Sequence, residues 1–298
     1  MILQTAVLSI FLCSVQSFTL QASFEKSDES SGNTIEEDDF SVSTLIEKAN
    51  ANLGKNPGDP VVMFGDIAVP TDLGNADPCT YDNDENCMWP QASDGNVYVP
   101  YLISNQYSPE NRNTIIRGLN SFARSTCIRF IPSKGQKDFL YIWPDNGCYS
   151  NVGRRGGNQT LSLDIGCIEH KIIQHELLHA LGFKHEHSRS DRDQHVQIQW
   201  ENIEDGQQRQ FEIVATRNLG TPYDYNSVMQ YGRKTFSKNG KPTIVPIPDP
   251  NVPIGKATKM SPNDILRVNR LYSCITTSYR DLLAYIIRYI INGGKQAS

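Results

Sequence analysis

Residues 175–186 of this 298-residue chain read His-Glu-Leu-Leu-His-Ala-Leu-Gly-Phe-Lys-His-Glu. Side chains four residues apart project from one face of an α-helix, so the pattern places the imidazoles of His175 and His179 side by side. Gly182 can adopt a positive φ angle, which ends a helix and turns the chain back, and His185 then completes the set. Three imidazoles with an open fourth position are typical of catalytic zinc. The stretch therefore predicts one Zn²⁺ per chain, held by these three histidines.

Glu176 directly follows the first of these histidines. A carboxylate at that position can accept a proton from a metal-bound water, which predicts Glu176 as the general base of a hydrolysis. The competing interpretation is a chance HExxH in a surface helix, with ordinary solvated histidines. The longer pattern HExxHxxGxxH fixes five positions, and its chance occurrence in such a chain is on the order of 10⁻⁵. Three of the six histidines of the chain also lie in this run, which favours the metal site.

Two further stretches carry a resemblance to a known family. The spacing HExxHxxGxxH with a downstream Met-turn belongs to the metzincin metallopeptidases, and Ser-Val-Met-Gln-Tyr (227–231) lies where that turn is expected. His-Glu-His-Ser-Arg-Ser-Asp-Arg-Asp (185–193) resembles the astacin signature. The resemblance covers roughly residues 75–275. It implies an α+β catalytic domain, in which the N-terminal subdomain has a mixed sheet and two helices and the C-terminal subdomain is largely irregular.

The same resemblance assigns roles around the Met-turn. It implies that Met229 forms a hydrophobic floor under the zinc. It also implies that Tyr231 is a switchable fifth ligand, which leaves the metal to stabilise the oxyanion. The chain departs from the family at Gln230, where astacins usually have histidine. That position is not a ligand in the family, so the zinc site is expected to survive the change.

Within the astacins, the chain is similar to the six-cysteine group of fish hatching enzymes and their relatives. The residues that carry this likeness are Asn-Ala-Asp-Pro-Cys (75–79), Cys-Met-Trp-Pro (87–90), Val-Tyr-Val-Pro-Tyr (97–101) and Tyr-Asp-Tyr (223–225). The likeness indicates a lineage more directly than it indicates a substrate.

The first residues and the cysteines both point to secretion. Residues 5–15 are apolar but too short to cross a bilayer, and residues 1–17 are interpreted as a signal peptide despite the missing basic start. A buried helix of the mature fold is the alternative. Loss of Cys13 with this segment leaves six of the seven cysteines, which suits an extracellular disulfide-bonded chain. Fifteen pairings are open to six cysteines. The family resemblance implies the pairs Cys79–Cys87, Cys127–Cys274 and Cys148–Cys167.

Charge divides the chain in two. Residues 18–74 hold 11 acidic and 3 basic residues, whereas residues 75–298 hold 22 acidic and 25 basic residues. An acidic segment ahead of a mildly basic domain suggests a propeptide that masks an enzyme and serves as its inhibitor. A solvated, partly disordered tail is the alternative, because runs such as Glu-Glu-Asp-Asp (36–39) are often of that kind. The positive charge of the second part is too small to indicate a nucleic-acid partner.

Asp66 is the candidate inhibitory ligand. Phe64-Gly65-Asp66 ends an extended apolar stretch, and astacin proenzymes similarly place a Gly-Asp carboxylate on the zinc. The family aromatic commonly lies three residues before the aspartate, where this chain has Met63, so a turn aspartate without metal contact is the alternative. Activation then requires cleavage near Gly74-Asn75. In astacins the new N-terminus reaches toward the residue that corresponds to Glu186.

The remaining pattern predicts regular elements. A short helix is expected over 41–52, extended chain over 61–69, a capped helix from Ser108-Pro109, the active-site helix over 168–181 and a capped helix from Ser261 to near Cys274. Strands are expected at 97–103, 128–131, 139–143 and 160–163, the first of them at a sheet edge because of Pro100. Asn158-Gln159-Thr160 is a glycosylation sequon, although an unmodified asparagine is equally compatible. Residues 276–298 form a tail of unknown role that includes an apolar run too short for a membrane span.

These inferences predict a secreted, monomeric zinc endopeptidase that is made as a zymogen and acts on protein or peptide substrates. Egg-envelope proteins are the expected substrates, and matrix or defence substrates in adult tissue are the alternative. An inactive binding scaffold would have lost a ligand or the base, and none is lost.

Overall fold

The structure is a computed structural model that describes residues 40–69 and 87–274. Within these ranges the chain forms four helices and nine strands. The helices are α1 (Val42–Ala49), α2 (Pro109–Ser121), α3 (His170–Ala180) and α4 (Pro262–Leu271). The strands are β1 (Val61–Met63), β2 (Ile67–Val69), β3 (Val97–Ile103), β4 (Ile128–Pro132), β5 (Phe139–Trp143), β6 (Cys148–Ser150), β7 (Asn158–Leu163), β8 (Val196–Ile198) and β9 (Ile244–Pro246). The architecture confirms the predicted α+β class.

Several expectations fall outside the described residues. They are the signal peptide at 1–17, the cleavage position near Gly74-Asn75, the tail at 276–298 and Cys79, the expected partner of Cys87. Cys87 itself is disulfide-bonded. In the part of the chain that the structure does describe, no helix has both the length and the hydropathy that a bilayer span requires.

Seven of the described strands form one mixed sheet in the order β1-β2-β6-β7-β5-β3-β4. Strands β3, β4, β5 and β7 run parallel, and β6 pairs antiparallel with β7. The stretch predicted as extended at 61–69 is a hairpin of β1 and β2, and β2 pairs in parallel with β6 through Ile67 and Ser150. Residues 61–69 therefore lengthen the sheet at the β6 side.

The prediction that Pro100 marks an edge strand was wrong. Its strand, β3, lies between β4 and β5 in the interior of the sheet. The backbone of Tyr101 faces β4, because its carbonyl accepts from Ser133 N at 2.8 Å. The backbone N–H and C=O groups of successive strand residues point to opposite neighbouring strands. The backbone nitrogen of Pro100, which carries no hydrogen, therefore points toward β5. Pairing with β5 starts only at Tyr101, so no ladder hydrogen bond is lost.

Helices α2 and α3 pack together over the sheet, as expected for the N-terminal subdomain. Ser108 caps α2 by accepting from Asn111 N, and Pro109 occupies the first turn, where its missing N–H is not needed. The helices approach closely at Gly118, where a Cβ atom would lie 2.4 Å from Cγ2 of Ile173. Ile172, Ile173 and Leu177 of α3 are fully buried in the main core. Burial of this face fixes the active-site helix against the sheet.

The end of α3 is held from outside the helix. The Trp89 indole donates to the Ala180 carbonyl at 2.9 Å, and the Tyr272 hydroxyl donates to the Leu181 carbonyl at 3.0 Å. Both groups satisfy carbonyls that a helix end leaves without partners. The chain then turns at Gly182, whose φ angle is 103°. The predicted helix stop at this glycine is thus observed.

The second half of the described chain has little regular structure, as expected. It consists of short 3₁₀ turns, the two-stranded sheet of β8 and β9, and α4. Ser261 caps α4 in a capping box with Asp264. Disulfides join Cys127 to Cys274 and Cys148 to Cys167. The first of them closes a loop of 147 residues, for which the chain-entropy account gives a stabilisation of roughly 4–5 kcal/mol.

Candidate metal centre

Three histidine side chains converge at one buried point. His175 and His179 come from adjacent turns of α3, and the turn at Gly182 brings in His185. The Nε2 atom of His175 lies 3.1 Å from that of His179 and 3.2 Å from that of His185. Two nitrogens bound at about 2.0–2.1 Å to one tetrahedral zinc would be about 3.3 Å apart. The observed spacing fits that ion.

Hydrogen bonds at the Nδ1 atoms fix the tautomers of two of the imidazole rings. His175 Nδ1 lies 2.9 Å from the Val228 carbonyl, and His179 Nδ1 lies 2.7 Å from the Phe183 carbonyl. A carbonyl only accepts, so both Nδ1 atoms carry the proton. The two Nε2 atoms therefore face inward as lone pairs, which is the form that binds a metal.

The carboxylate of Asp66 occupies the same point. Its Oδ2 lies 2.8 Å from His175 Nε2, and its Oδ1 lies 3.1 Å from His185 Nε2 and 3.4 Å from His179 Nε2. One ligand atom from each of the four side chains falls within 4.8 Å of the others. At least two inward lone pairs and an anionic oxygen repel one another unless a cation lies among them. The donor set of three imidazoles and one carboxylate fits zinc.

Burial and charge act in opposite directions on Asp66. Burial acts to raise the pKa of this carboxyl, but attraction to positive charge at His185, His179 and His175 outweighs that effect and holds the pKa well below its ordinary value. Asp66 is thus an anion in the interior of the protein, only 1% exposed. A buried anion of this kind is stable only with cationic or metal partners.

Glu176 is the other buried carboxyl of the centre. It is fully buried on α3, and neither carboxylate oxygen has a hydrogen-bond partner within the described residues. Burial, with repulsion from Asp66 added, raises its pKa well above the ordinary value. Glu176 lies outside the group of four potential ligands. A carboxyl with raised pKa beside a metal centre is suited to accept and return a proton.

The Met-turn lies directly beside the histidines. Met229 is buried in the main core, and its carbonyl accepts from Glu186 N at 3.0 Å, next to His185. Tyr231 is also buried, with its ring centroid 4.7 Å from that of His185 and 3.8 Å from that of His187. The ring stacks on His187 at an interplanar angle of 27°. The turn therefore places the Tyr231 ring against the third histidine and binds the backbone that follows this histidine.

The Tyr231 hydroxyl is bound by the turn at residues 64–66. It donates to the Phe64 carbonyl at 2.5 Å. The turn that presents this carbonyl has positive φ at Phe64 (51°) and Gly65 (83°). A Cβ atom at Gly65 would lie 2.7 Å from the Tyr231 oxygen. Only glycine therefore lets residues 64–66 reach the hydroxyl and the histidines together.

Segment 40–69 is anchored at three more points. Ser43 Oγ accepts from Gly232 N at 2.8 Å, and Glu47 Oε2 accepts from Phe236 N at 3.0 Å. Asn50 donates to the carbonyls of Gly65 and Cys148, each at 2.8 Å. The first two contacts hold α1 against the chain that follows the Met-turn, and Asn50 ties α1 to the turn at residues 64–66 and to β6.

Glu186 has partners that the sequence did not indicate. Arg267 of α4 binds both of its carboxylate oxygens, and Arg189 Nη1 and Asp224 N donate to Oε1 at 3.2 and 2.7 Å. Burial raises the pKa of Glu186, and the two guanidinium groups oppose that shift. Arg267 and Glu186 are separated by 81 residues, so no local pattern could reveal the pair.

Gln230 and Asn158 complete the set of residues that the sequence singled out. Gln230 accepts from the Tyr223 hydroxyl at 2.5 Å and donates to the Tyr231 carbonyl at 3.0 Å. Its amide thus supports the backbone of the Met-turn. Asn158 is the exposed first residue of β7.

Comparison with known proteins agrees with this geometry. A family model described as Astacin, a peptidase family, matches residues 83–273. The low choriolytic enzyme of Oryzias latipes is 43% identical over 273 residues, which cover 91% of this chain and 98% of that protein. High choriolytic enzyme 2 of the same species is 47% identical over 241 residues, 80% of this chain and 83% of that protein.

A solved structure gives the same result for the fold. High choriolytic enzyme 1, a hatching enzyme zinc-protease from Oryzias latipes, matches with a TM-score of 0.64 and 48% identity. The match covers 65% of this chain and 98% of that one. It confirms the predicted astacin-like α+β fold and the predicted likeness to hatching enzymes. The chain belongs to the astacin family of peptidases and is a zinc metalloendopeptidase.

Proposed function

We propose that this chain is the latent precursor of a secreted endopeptidase that digests egg-envelope proteins. In this proposal residues 1–17 are a signal peptide, residues 18–74 are an inhibitory propeptide and residues 75–275 are the peptidase domain. The observation that carries latency is the Asp66 carboxylate between His175 and His185, at 2.8 and 3.1 Å. The group that would occupy the fourth position of an open zinc site is thus part of the same chain.

The catalytic roles follow from the positions of the side chains. His175, His179 and His185 hold one zinc ion, which when bound supplies Lewis-acid activation of a water molecule and of the scissile carbonyl. Glu176 accepts the proton of the attacking water and returns it to the leaving amine. Its buried carboxylate has no other hydrogen-bond partner in the described chain, so it is free for that transfer.

Tyr231 donates to the negative charge that develops on the carbonyl oxygen. In the latent chain that hydroxyl is engaged by the Phe64 carbonyl, and Asp66 occupies the ligand position. One turn of the propeptide thus blocks two catalytic functions at once. Removal of residues 18–74 releases both.

Tyr231→Phe is expected to lower kcat of the activated enzyme by roughly 10²–10³-fold with little change in KM, because one oxyanion donor is lost. Steady-state hydrolysis of a peptide substrate measures this. Tyr98→Phe is the matched control, since Tyr98 lies on β3 and its hydroxyl donates to the exposed Asp94 just before that strand. A change in KM alone would contradict the assignment.

The substrate class rests on the relatives. Two of them are choriolytic enzymes, and the matching structure is that of a hatching enzyme. In the same proposal the protein is a monomer that binds one zinc ion, and its partners are its substrates and its own propeptide. The alternative of an adult-tissue protease concerns only the substrate and leaves the chemistry unchanged.

The activated enzyme is expected to release peptides from isolated fish egg envelopes. The measurement compares that release with the release from denatured collagen at equal enzyme concentration. Preferential digestion of the envelope supports the hatching role. Equal or greater digestion of collagen overturns that role in favour of a matrix substrate.

A further inference from the structure

A continuous chain of hydrogen bonds leads from the metal centre to the last helix. His175 Nδ1 donates to the Val228 carbonyl at 2.9 Å. The N–H of the same peptide group, that of Met229, donates to Ser227 Oγ at 3.0 Å. The Ser227 hydroxyl donates to Asp264 Oδ1 at 2.6 Å. Every donor in this relay points away from the metal centre and toward the carboxylate.

The carboxylate at the far end is well defined. Asp264 is 3% exposed and accepts from Ser227 Oγ, from Val228 N at 3.0 Å and from Ser261 N at 2.9 Å. Burial raises the pKa of this carboxyl above its ordinary value, and the hydrogen bonds from Ser227, Ser261 N and Val228 N oppose that shift. The same carboxylate therefore fixes two successive peptide groups of the Met-turn and holds the Val228 carbonyl in its direction toward His175.

We propose that Ser227 and Asp264 are positioning residues for His175, which they orient and make a stronger zinc donor through the peptide group between Val228 and Met229. The proposal rests on the zinc site proposed above. A ligating histidine commonly donates its second N–H directly to a carboxylate. Here a serine and a peptide group stand between the imidazole and the carboxylate.

The physical reason is mutual polarisation. In a buried series of hydrogen bonds each bond strengthens the next, because a group that donates a hydrogen bond is polarised and becomes a better acceptor. The Asp264 oxygen at the end of the relay accepts the hydrogen bond from Ser227 and thereby draws the Nδ1 proton of His175 outward. The electron density at Nε2 rises in consequence, and so does the affinity of that nitrogen for a cation.

The three histidines differ in this respect. His179 Nδ1 donates to the Phe183 carbonyl, and His185 Nδ1 is buried without a hydrogen-bond partner among the described residues. The relay that ends on the Asp264 carboxylate starts at His175. Gln174, the preceding residue, also accepts from Met260 N at 2.7 Å. The start of α4 is thus attached to α3 directly at the first ligand.

Ser227→Ala tests the relay in the full-length chain. The substitution removes the hydroxyl and leaves the bonds of Asp264 to Val228 N and Ser261 N. Zinc affinity is measured by competition with a chromogenic chelator and is expected to fall roughly 10–100-fold. The absorption spectrum of the cobalt-substituted chain is expected to shift, and the Nδ1 proton resonance of His175 is expected to move upfield.

Ser261→Ala is the matched control. It removes a serine hydroxyl from the cap of the same helix, where Ser261 Oγ accepts from Asp264 N at 2.9 Å, but it leaves the relay intact. Melting of the metal-free chains shows how far each variant is destabilised. Ser261→Ala is expected to keep the zinc affinity, the cobalt spectrum and the His175 resonance of the wild type.

The outcomes are distinct. If the wild-type chain binds no zinc, the proposed function itself fails. If it binds zinc and both serine variants retain its affinity, or both lose it equally, the relay is overturned. If Ser227→Ala does not fold, Ser227→Cys replaces it, because a thiol of similar size is a weaker hydrogen-bonding group. Wild-type affinity and an unchanged cobalt spectrum in that variant also overturn the relay.

Discussion

Activated Glu176→Gln enzyme is expected to hydrolyse peptides about 10⁴-fold more slowly than activated wild type, at the upper end of what an acid–base group contributes. The amide keeps the size of the side chain but cannot accept the proton of the attacking water. Glu176 is not one of the four potential ligands, so the zinc content is expected to remain one ion per chain. Initial rates and metal analysis of the same preparation measure both quantities.

The stability of this variant gives an independent check. Glu176 is a fully buried carboxyl whose oxygens have no hydrogen-bond partner in the described chain. Burying this carboxyl costs free energy, either as a charge or as an acid protonated above its ordinary pKa, and a neutral amide avoids that cost. The melting temperature of Glu176→Gln is therefore expected not to fall. Glu169→Gln is the matched control, because Glu169 lies half-exposed just before α3. Peptide hydrolysis by Glu176→Gln at the rate of this control would refute the assignment of the base.

Uncleaved Asp66→Ala chain is expected to hydrolyse peptides while uncleaved wild type remains silent. Removal of one partner from a buried charged pair shifts an equilibrium by about 3–5 kcal/mol, and each 1.4 kcal/mol is about tenfold. The open centre should therefore be at least about 10²-fold more populated. The Phe64 contact to Tyr231 and the contacts of α1 remain in this variant, so activity below that of the cleaved enzyme is expected.

Two precautions make the experiment specific. Mass spectrometry of the assayed sample establishes that the chain is intact, so that self-cleavage does not produce the signal. Asp59→Ala is the matched control, since Asp59 is a carboxylate of the same segment that accepts from Asn56 N at 3.0 Å. If intact Asp66→Ala is as inactive as intact Asp59→Ala, the carboxylate does not maintain latency.

Local patterns explain how much of the fold the sequence could predict. The active-site helix was expected over 168–181 and is observed at His170–Ala180, because apolar spacing and Gly182 both act within a few residues. Strand β5 is observed at Phe139–Trp143, where it was predicted. The missed strands β6, β8 and β9 have three residues each, which is too short for an alternation pattern to appear. Their partners, not their own residues, determine that they are strands.

The residues of the metal centre could likewise be predicted where they are close in sequence, and not where they are far apart. The histidines and Glu176 lie in one short run, so their convergence could be predicted from helical spacing alone. The Asp66 prediction needed a family resemblance, because Asp66 and His175 are separated by 109 residues. The relay from Ser227 to Asp264 and the pair of Arg267 with Glu186 join distant segments through hydroxyl and guanidinium groups that are common on any surface. Only the fold brings such groups together.

The way in which α1 enters the core has a consequence for activation. Val42 and Ile46 are 2% exposed in the main hydrophobic cluster, so segment 40–69 is held by packing as well as by Asp66. A single cut would convert this segment from a tethered ligand to a separate molecule, and its high effective concentration at the centre would be lost. The fraction of metal centres that this segment occupies would then depend on its concentration in solution. Cleaved enzyme at high concentration would stay largely inhibited by the cleaved segment, and dilution would complete the dissociation of that segment.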